Sequence, residues 1–523
     1  MKNDAVSECS RPFHQKYFKK SLKEDFMKKF AKLLGFDPVE KQTSLKTEII
    51  AGIVTFLAMA YILTVNPNQI LYAGTADPRW SSLFIATAFG AIIGTLLMAF
   101  LAKMPLAQAS GMGLNSLVGS IVGGGIGFYA YGFSFSLGQA FMMVLISGVV
   151  FLALSLVSFK GKTVRELVFD GMPVSVRSAI SVGIGLFIAY IGFQNAGVIV
   201  ANQYTQVALV DFANWDVCKP ALVALIGLFL IAMLDKLNIK GSVILGILGA
   251  TIIGIPFGVT NVKVITGSEG VSWKFWENFA NFFGGGEESV FGSFASVFSD
   301  GFPTGSLFTV IMLIITMCMI DMFDTMGTIV GCCGGNRVLS DENDKPHNYG
   351  KIMMSDSIAT CAGAMIGTST VTTFVESGAG VSAGGRTGLT AFTTACFFLL
   401  AIFAMPLFAM IPSAATAAAL IYVGVLMMKH NVKNVDFSNA VSATTGFLTI
   451  TVMVLSYSIT KGIGIGMLSY TLMSALVYGA EWIKYMVAKN KGDESAEKPV
   501  WSVSVVALVV TVLFIVYFFV PVT

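Results

Sequence analysis

The chain has 523 residues, of which 55% are hydrophobic and only 12% are charged, and its mean hydropathy is +0.76. Soluble domains carry roughly 25% charged residues, so the composition excludes a soluble protein, and a net charge of +3 gives no reason to expect a nucleic-acid partner. We therefore predict an all-α polytopic membrane protein that lies in a lipid bilayer.

Apolar stretches of spanning length follow one another along the chain. Seven lie at about 47–65, 81–102, 112–127, 136–158, 174–193, 219–234 and 241–257. After a long polar loop, seven more lie at about 305–331, 351–368, 371–384, 387–410, 412–428, 440–458 and 462–486. This pattern predicts fourteen membrane spans, and an apolar stretch at 501–521 indicates an additional C-terminal span.

Lys and Arg alternate between the loops. The N-terminal segment 1–46 is rich in Lys and has no apolar core of a signal peptide, and every second loop after it carries Lys or Arg, for example Lys160, Lys236 and Lys429. Because cytoplasmic loops are enriched in these residues, we expect a cytoplasmic N-terminus in the inner or plasma membrane. The additional span would place the C-terminus outside.

The cysteines and histidines show no ligand or disulfide pattern. Seven cysteines are an odd number without framework spacing, and Cys318, Cys361 and Cys396 lie within apolar runs. We expect them to be small buried side chains. The sequence thus predicts neither a metal site nor an organic cofactor.

An internal repeat relates the two halves of the chain. The stretch "IATAFGAIIGT" in span 2 matches "IATCAGAMIGT" in span 9 at eight of eleven positions. Span 5 begins at Pro173 and reaches Gly185 twelve residues later, as span 12 does from Pro412 to Gly424. A displacement of seven spans inverts the second copy, and inverted repeats are typical of secondary transporters with a midplane substrate site.

Few ionisable residues fall inside the spans, where each is costly and suggests a function. Asp321 and Asp324 share one face of span 8, although one of them has an equally good interpretation as a structural hydrogen-bonding residue. Glu376 lies in span 10, where a helix N-terminus would favour a carboxylate. We expect Asp356 to be solvated at the inner end of span 9, and Arg386 to anchor the cytoplasmic edge.

Two glycine-rich stretches predict discontinuous helices. "AQASGMGLNS" opens span 3 and contains Gln108 and Asn115, and "TVTTF" (Thr370 to Phe374) precedes the glycine-rich stretch of span 10. The β-branched and aromatic residues favour a short strand, and the glycines interrupt a continuous helix. A planar ligand would fit between the two half-helices, with Phe374 available for stacking.

The motifs "TEIIAGIVTFLAMAYILTVNP", "GMGLNS", "DMFDTMGTIVG" and "IATCAGAMIGTSTVTTFVESGAGVSAGGRTGLTA" carry a family resemblance. From about Thr47 to Lys484 the chain resembles the adenine/guanine/hypoxanthine permeases, the azaguanine-resistance-type members of the nucleobase:cation symporter-2 (nucleobase–ascorbate transporter) class. The stretch "AQASGMGLNS" departs from the family, which has Ala-Pro where this chain has Gln-Ala-Ser.

The resemblance implies two inverted sets of seven spans, with short antiparallel strands in spans 3 and 10, and commonly a homodimer. Its domain boundaries on this chain are a cytoplasmic segment at 1–46, core parts at 47–159 and 305–410, gate parts at 160–258 and 411–487, an extracytoplasmic loop at 259–304, and a C-terminal part at 488–523.

The resemblance also assigns a substrate site. It implies that Asp324 and Glu376 hold a purine nucleobase beside Phe374, with Asn115 and Asp321 as supporting polar residues. Gly111, Ser377 and Gly378 complete the expected binding set.

We predict that the chain imports guanine or hypoxanthine, and adenine as a further candidate, by proton symport and elevator-type movement, with Asp324 and Glu376 as candidate proton carriers. Ring N–H groups of a purine suit carboxylate acceptors. The alternatives are a transporter of the same fold for uracil, xanthine or an inorganic anion, and a channel-like facilitator. The sequence contains no paired nucleophile and base of the kind that would indicate an enzyme.

Overall fold

The structure is a computed structural model that describes residues 32–37, 40–71, 77–122, 134–159, 162–163, 174–239, 241–263, 273–284, 289–333, 336–340, 346–457, 459–491 and 497–519. Within these ranges, eight helices are long and apolar enough to cross a membrane, and five shorter helices are also apolar. The prediction of a helical polytopic membrane protein is confirmed.

The helices follow the predicted apolar stretches closely. Before residue 260 they are α1 (Leu45–Met59), α2 (Ile62–Leu71), α3 (Trp80–Leu97, extended by the π-helical turn Met98–Ala102), α4 (Met112–Ile121), α5 (Leu137–Leu156), α6 (Val174–Asn195), α7 (Trp215–Lys236) and α8 (Ser242–Gly254). Later in the chain they are α9 (Phe275–Phe283), α10 (Val297–Asp300), α11 (Leu307–Cys333), α12 (Tyr349–Ile366), α13 (Ser377–Ser382), α14 (Gly388–Phe403), α15 (Met405–Ala409), α16 (Ser413–Asn431), α17 (Ala440–Leu455), α18 (Ile459–Asn490) and α19 (Val505–Phe519).

Two three-residue strands pair in the interior of the helical assembly. Strand β1 (Gln108–Ser110) precedes α4, and the strand Val371–Thr373, numbered β6, precedes α13. They run antiparallel, with Gln108 opposite Thr373, and every residue of both strands is buried. Each strand therefore supplies its partner with backbone hydrogen bonds at a depth where helices would otherwise be required.

Small residues let neighbouring helices approach this strand pair. A Cβ atom at Gly94 of α3 would lie 2.7 Å from Val371 Cγ1, and one at Gly111 would lie 2.6 Å from Thr372 Cγ2. These distances are too short for real Cβ contacts. The positions therefore require glycine because the strands pass directly against them.

Sequence-related segments of the two halves contact each other. The repeated stretches lie on α3 and α12, where the space at Gly90 and at Gly363 is filled by Thr368 and Val371. On α6 and α16, a Cβ atom at Gly424 would meet the carbonyl of Gly185 and lie 2.7 Å from Ala189 Cβ. These contacts agree with an internal two-fold relation between the halves, which itself remains a prediction.

Several local features differ from the predictions. The first predicted span is interrupted at Ala60 and Tyr61, between α1 and α2. The loop that was expected to be polar contains α9, whose Phe279 and Phe282 pack on Phe89 of α3. At 371–384, by contrast, the structure confirms the predicted short strand and interrupted helix, as a strand followed by a six-residue helix.

Further short strands pair locally on the connections between helices. Strands β2 (Ser158–Phe159) and β3 (Lys162–Thr163) pair with each other, and so do β4 (Ile199–Asn202) and β5 (Gln206–Leu209). These short sequences lack the apolar periodicity that would have predicted them.

Two expectations about burial were wrong. Asp356 is fully buried and not solvated. Cys396 is exposed and Cys361 only partly buried, although Cys318 is buried as expected. Apolar composition predicted burial of the cysteines, but a residue on the outer face of a membrane helix is equally compatible with that composition.

The contact between α6 and α16 gives a stability prediction. We expect Gly424→Ala to destabilise the protein by about 1–3 kcal/mol, because the added methyl overpacks a backbone contact. The melting temperature of the detergent-purified protein measures this effect. Gly479→Ala on α18 is the matched control, because its Cβ atom would meet nothing within 4 Å. Equal melting of the two variants would contradict the prediction.

Candidate substrate site

A cavity lies where the strand pair meets α4, α6, α11 and α16. Its empty volume, with the open space at its mouth included, is about 590 Å³. The lining residues come from five parts of the fold and are Met112, Gly113, Ser181, Ile188, Asp324, Thr328, Thr373, Phe374, Val375, Glu376, Val423, Met427 and Asn431.

Glu376 is the most constrained acidic residue of this cavity. It occupies the turn between β6 and α13, is only 6% exposed, and precedes the first residue of a short helix. Its Oε1 atom accepts a hydrogen bond from the hydroxyl of Tyr61. Within the described ranges its Oε2 atom is buried without a hydrogen-bond partner. A buried carboxylate oxygen of this kind needs a donor, which a bound ligand would supply.

Tyr61 reaches Glu376 because the first apolar segment is interrupted. It lies between α1 and α2, and its hydroxyl also lies 3.7 Å from Met112 Sδ at the start of α4. The side chain is fully buried. Tyr61 was not among the predicted site residues, although a lone tyrosine in the middle of the first apolar stretch was a usable signal.

Asp324 enters the cavity from α11. It is partly buried, and Thr328 lies one helical turn further along the same wall. Among the residues that the structure describes, none donates a hydrogen bond to the Asp324 carboxylate. Asp324 and Glu376 thus bring acceptor oxygens to the same cavity from different elements, and Phe374 brings an aromatic ring.

The backbone before Glu376 is held against β1. Phe374 N donates to Ala107 O at 3.0 Å, and Ala107 N donates to Ser377 Oγ at 3.0 Å. Ser377 therefore fixes the turn from behind and does not line the cavity. The N–H of Gly378 donates to Val375 O at 3.0 Å within the same turn.

Asn115 and Asp321 also lie behind the cavity wall. Asn115 is buried, donates from Nδ2 to Ser110 O at 3.3 Å, and accepts a hydrogen bond from Ser369. Asp321 is buried and its Oδ2 accepts from Thr360 Oγ1 at 2.9 Å. Of the predicted site residues, the structure brings Asp324, Phe374 and Glu376 to the cavity. It places the others, including Gly111, in supporting positions.

Arg386 lies away from the cavity at the end of α13. Its guanidinium donates to Val381 O at 2.6 Å and to Gly385 O at 2.7 Å. Its backbone N–H donates to the buried Glu48 at 2.9 Å, and Glu48 also accepts from Thr390 Oγ1 at 2.6 Å. Arg386 therefore caps the C-terminal end of α13, and Glu48 joins α1 to the start of α14.

One wall of the cavity was not predicted at all. It is formed by Ser181 and Ile188 on α6 and by Met427 and Asn431 on α16. Asn431 donates from Nδ2 to Met427 O at 3.0 Å. The sequence signal was the repeated Pro-to-Gly spacing of these two helices, but spacing alone does not show which faces meet.

Comparison with known proteins identifies relatives over most of the chain. The sequence model described as "Permease family" (Xan_ur_permease) matches residues 46–465. Adenine permease AdeQ of Escherichia coli is 36% identical over 432 residues, covering 82% of this chain and 88% of AdeQ. Guanine/hypoxanthine permease PbuO of Bacillus subtilis is 35% identical over 439 residues, covering 83% of this chain and 93% of PbuO.

The fold itself has a counterpart among solved structures. The transmembrane domain of a cyanobacterium bicarbonate transporter, BicA, has a TM-score of 0.57 to this structure at 16% identity. The match covers 82% of this chain and 98% of that domain. At this identity the likeness concerns the fold alone.

The family match and the apolar helices together show a multi-pass membrane transport protein. The chain belongs to the permease family that the sequence model describes, the nucleobase:cation symporter-2 family. The resemblance found from sequence motifs is confirmed. The prediction that the chain is not an enzyme is also confirmed, because its relatives are permeases. Among the described residues, no group of three or more His, Cys, Asp or Glu side chains is arranged to hold a metal ion.

The Tyr61–Glu376 hydrogen bond gives a prediction for transport. We expect Tyr61→Phe to raise the KM for substrate uptake roughly tenfold or more, because a hydrogen bond to a charged group is worth about 1.5–3 kcal/mol. Concentration-dependent uptake into cells measures this change.

Tyr190→Phe on α6 is the matched control, because the Tyr190 ring contacts Tyr457 and no hydrogen bond of its hydroxyl is recorded in the described ranges. If both variants keep the wild-type KM, the hydroxyl of Tyr61 does not hold Glu376 for binding.

Proposed function

We propose that this protein imports purine nucleobases, guanine or hypoxanthine and also adenine, by proton symport. The observation that carries the proposal is the buried Glu376 Oε2 without a partner in the described ranges, in a cavity shared with Asp324 and Phe374. Relatives over more than four-fifths of the chain bear the names of adenine and guanine/hypoxanthine permeases.

The proposed binding mode matches the chemistry of a purine to that of the cavity walls. Ring N–H groups donate to the carboxylates of Glu376 and Asp324, and such charge-assisted hydrogen bonds are the stronger ones. The Phe374 ring packs on the planar base. Asn115, Asp321, Gly111, Ser377 and Gly378 support the site by fixing the strands and the turn.

Proton coupling is assigned to the same two acidic residues. A carboxyl group can bind and release a proton, and placing two of them in one cavity links that exchange to substrate binding. Asp324 and Glu376 are the acidic residues among those that line the cavity. In this proposal the proton is the coupling ion, and no organic cofactor takes part.

An elevator-type movement is supported by the position of the cavity. Its two sides fall in different proposed domains, because the strand pair, α4 and α11 belong to the core at 47–159 and 305–410. Helices α6 and α16 belong to the gate at 160–258 and 411–487. A substrate held by Asp324, Phe374 and Glu376 would travel with the core past the gate. We also propose a homodimer as the assembly.

The proposed topology has fourteen spans and a cytoplasmic N-terminus in the inner or plasma membrane, followed by one additional span. Helix α19 packs along α18, since Thr511 Oγ1 lies 2.8 Å from Thr471 Oγ1. The ring of Phe514 fills the space beside Gly464, and Trp501 contacts Tyr478. These pairs run in opposite directions along the two helices, which favours an antiparallel hairpin.

The main test is uptake of radiolabelled guanine, hypoxanthine and adenine in a bacterium that lacks purine transport. We expect accumulation that a protonophore abolishes, and we expect Glu376→Gln to lower kcat/KM roughly 100-fold, because an amide replaces a charged acceptor. Glu481→Gln on the exposed face of α18 is the matched control.

Three outcomes would overturn parts of this proposal. Wild-type transport by Glu376→Gln would show that the site assignment is wrong. Uptake that ignores the protonophore would indicate a facilitator. A preference for uracil, xanthine or an inorganic anion in a competition panel would replace purines as the substrate class.

The additional span gives a separate prediction. We expect a reporter enzyme that is active only outside the cytoplasm to be active when fused after residue 523 and inactive when fused after residue 490, because α19 carries the chain across the bilayer. Equal activity of the two fusions would show that α19 does not cross.

A further inference from the structure

Asp356 is a buried acidic residue that lies outside the proposed substrate site. It lies on α12, its exposure is 0%, and it is absent from the residues that line the cavity. A buried carboxylate is stable only when donors surround it. Its partners therefore indicate which parts of the fold it holds together.

Three elements donate to this carboxylate. Gln108 Nε2 on β1 lies 2.9 Å from Asp356 Oδ1, and Thr373 Oγ1 on β6 lies 3.4 Å from the same oxygen. Thr325 Oγ1 on α11 donates to Oδ2 at 2.7 Å. Both carboxylate oxygens thus accept from groups that belong to different segments of the chain.

Each of these donors is close to the cavity. Thr325 follows Asp324 directly on α11, and Thr373 lines the cavity itself and precedes Phe374. Gln108 is paired with Thr373 in the strand register and also donates to Thr373 Oγ1 at 3.3 Å. A displacement of the Asp356 carboxylate would therefore move both acidic walls of the cavity relative to each other.

We propose that Asp356 is a positioning residue of the substrate site and that Gln108 is its partner in the other half of the chain. Asp356 sets the distance between the Asp324 wall on α11 and the Phe374 wall on β6. It does so without contacting the substrate. The inference rests on the proposed function, because it assumes that substrate binds in this cavity.

Gln108 and Asp356 form an amide–carboxylate pair whose polarity can be reversed. Asp356→Asn replaces one acceptor oxygen by an N–H₂ donor and removes the charge that strengthens these hydrogen bonds, and Gln108→Glu places a second carboxylate beside the first, so either change alone weakens the pair. In the double variant Q108E/D356N the introduced amide donates to the introduced carboxylate. The pair is then restored with its direction reversed.

The experiment compares the two single variants, the double variant and Ser357→Ala in purine uptake, with the amount of folded protein measured by fluorescence-detected gel filtration. Ser357 is the neighbouring buried residue on α12, and its hydroxyl donates to the carbonyls of Met353 and Met354 on its own helix. We expect each single variant to raise KM roughly tenfold or more, and the double variant to return to within about threefold of wild type.

Two results would overturn the inference. One is a wild-type KM in both single variants, including the case in which only the amount of folded protein falls. The other is a double variant that is no better than the worse single variant. Failure of the proposed function is distinguishable, because the wild-type protein itself would then take up no purine.

Discussion

The pairing of Gln108–Ser110 with Val371–Thr373 is the constraint on which the rest of the structure depends. In hydrocarbon an unpaired backbone group costs several kcal/mol, so non-helical backbone survives only where protein satisfies it. Here each strand satisfies the other, and the chain then starts α4 on one side and α13 on the other. Breaking the helices in this way brings Glu376 to a cavity wall, which a continuous helix would not do.

Polar side chains of several helices surround the strands and compensate for the interruption of helical structure. Asn66 donates to Thr87 Oγ1 at 2.7 Å and to Thr368 Oγ1 at 2.9 Å, and Thr368 in turn lies 2.8 Å from Ser110 Oγ. Tyr61, at the break between α1 and α2, donates a hydrogen bond to Glu376 beside these residues. A buried hydrogen-bond network with residues from both halves of the chain thus supports the site.

The sequence allowed most helices and the family to be predicted, because apolar length and specific motifs are local properties. It also pointed to Asp324 and Glu376, since a charge within an apolar segment is conspicuous, and to Phe374, whose ring beside the glycine-rich stretch is available for stacking. It did not give Tyr61, Asn431 or the burial of Asp356. A tyrosine, an asparagine or an aspartate within or beside a helix has many possible environments, and only the packing of distant segments decides among them. The helix α9 was missed because its aromatic residues lie in a loop of mixed composition.

The glycine contact between α6 and α16 has a mechanical consequence. A Cβ atom at Gly424 would lie 2.4 Å from the carbonyl oxygen of Gly185, and Met427 Cβ lies 2.7 Å from the place where Gly185 would carry a Cβ atom. Two polypeptide backbones cannot approach further, since no side chain remains between them to yield. At this point α6 and α16 are therefore at their closest approach. They can slide past each other or separate, but they cannot move nearer to each other, so their backbones set a minimum width for this wall of the cavity.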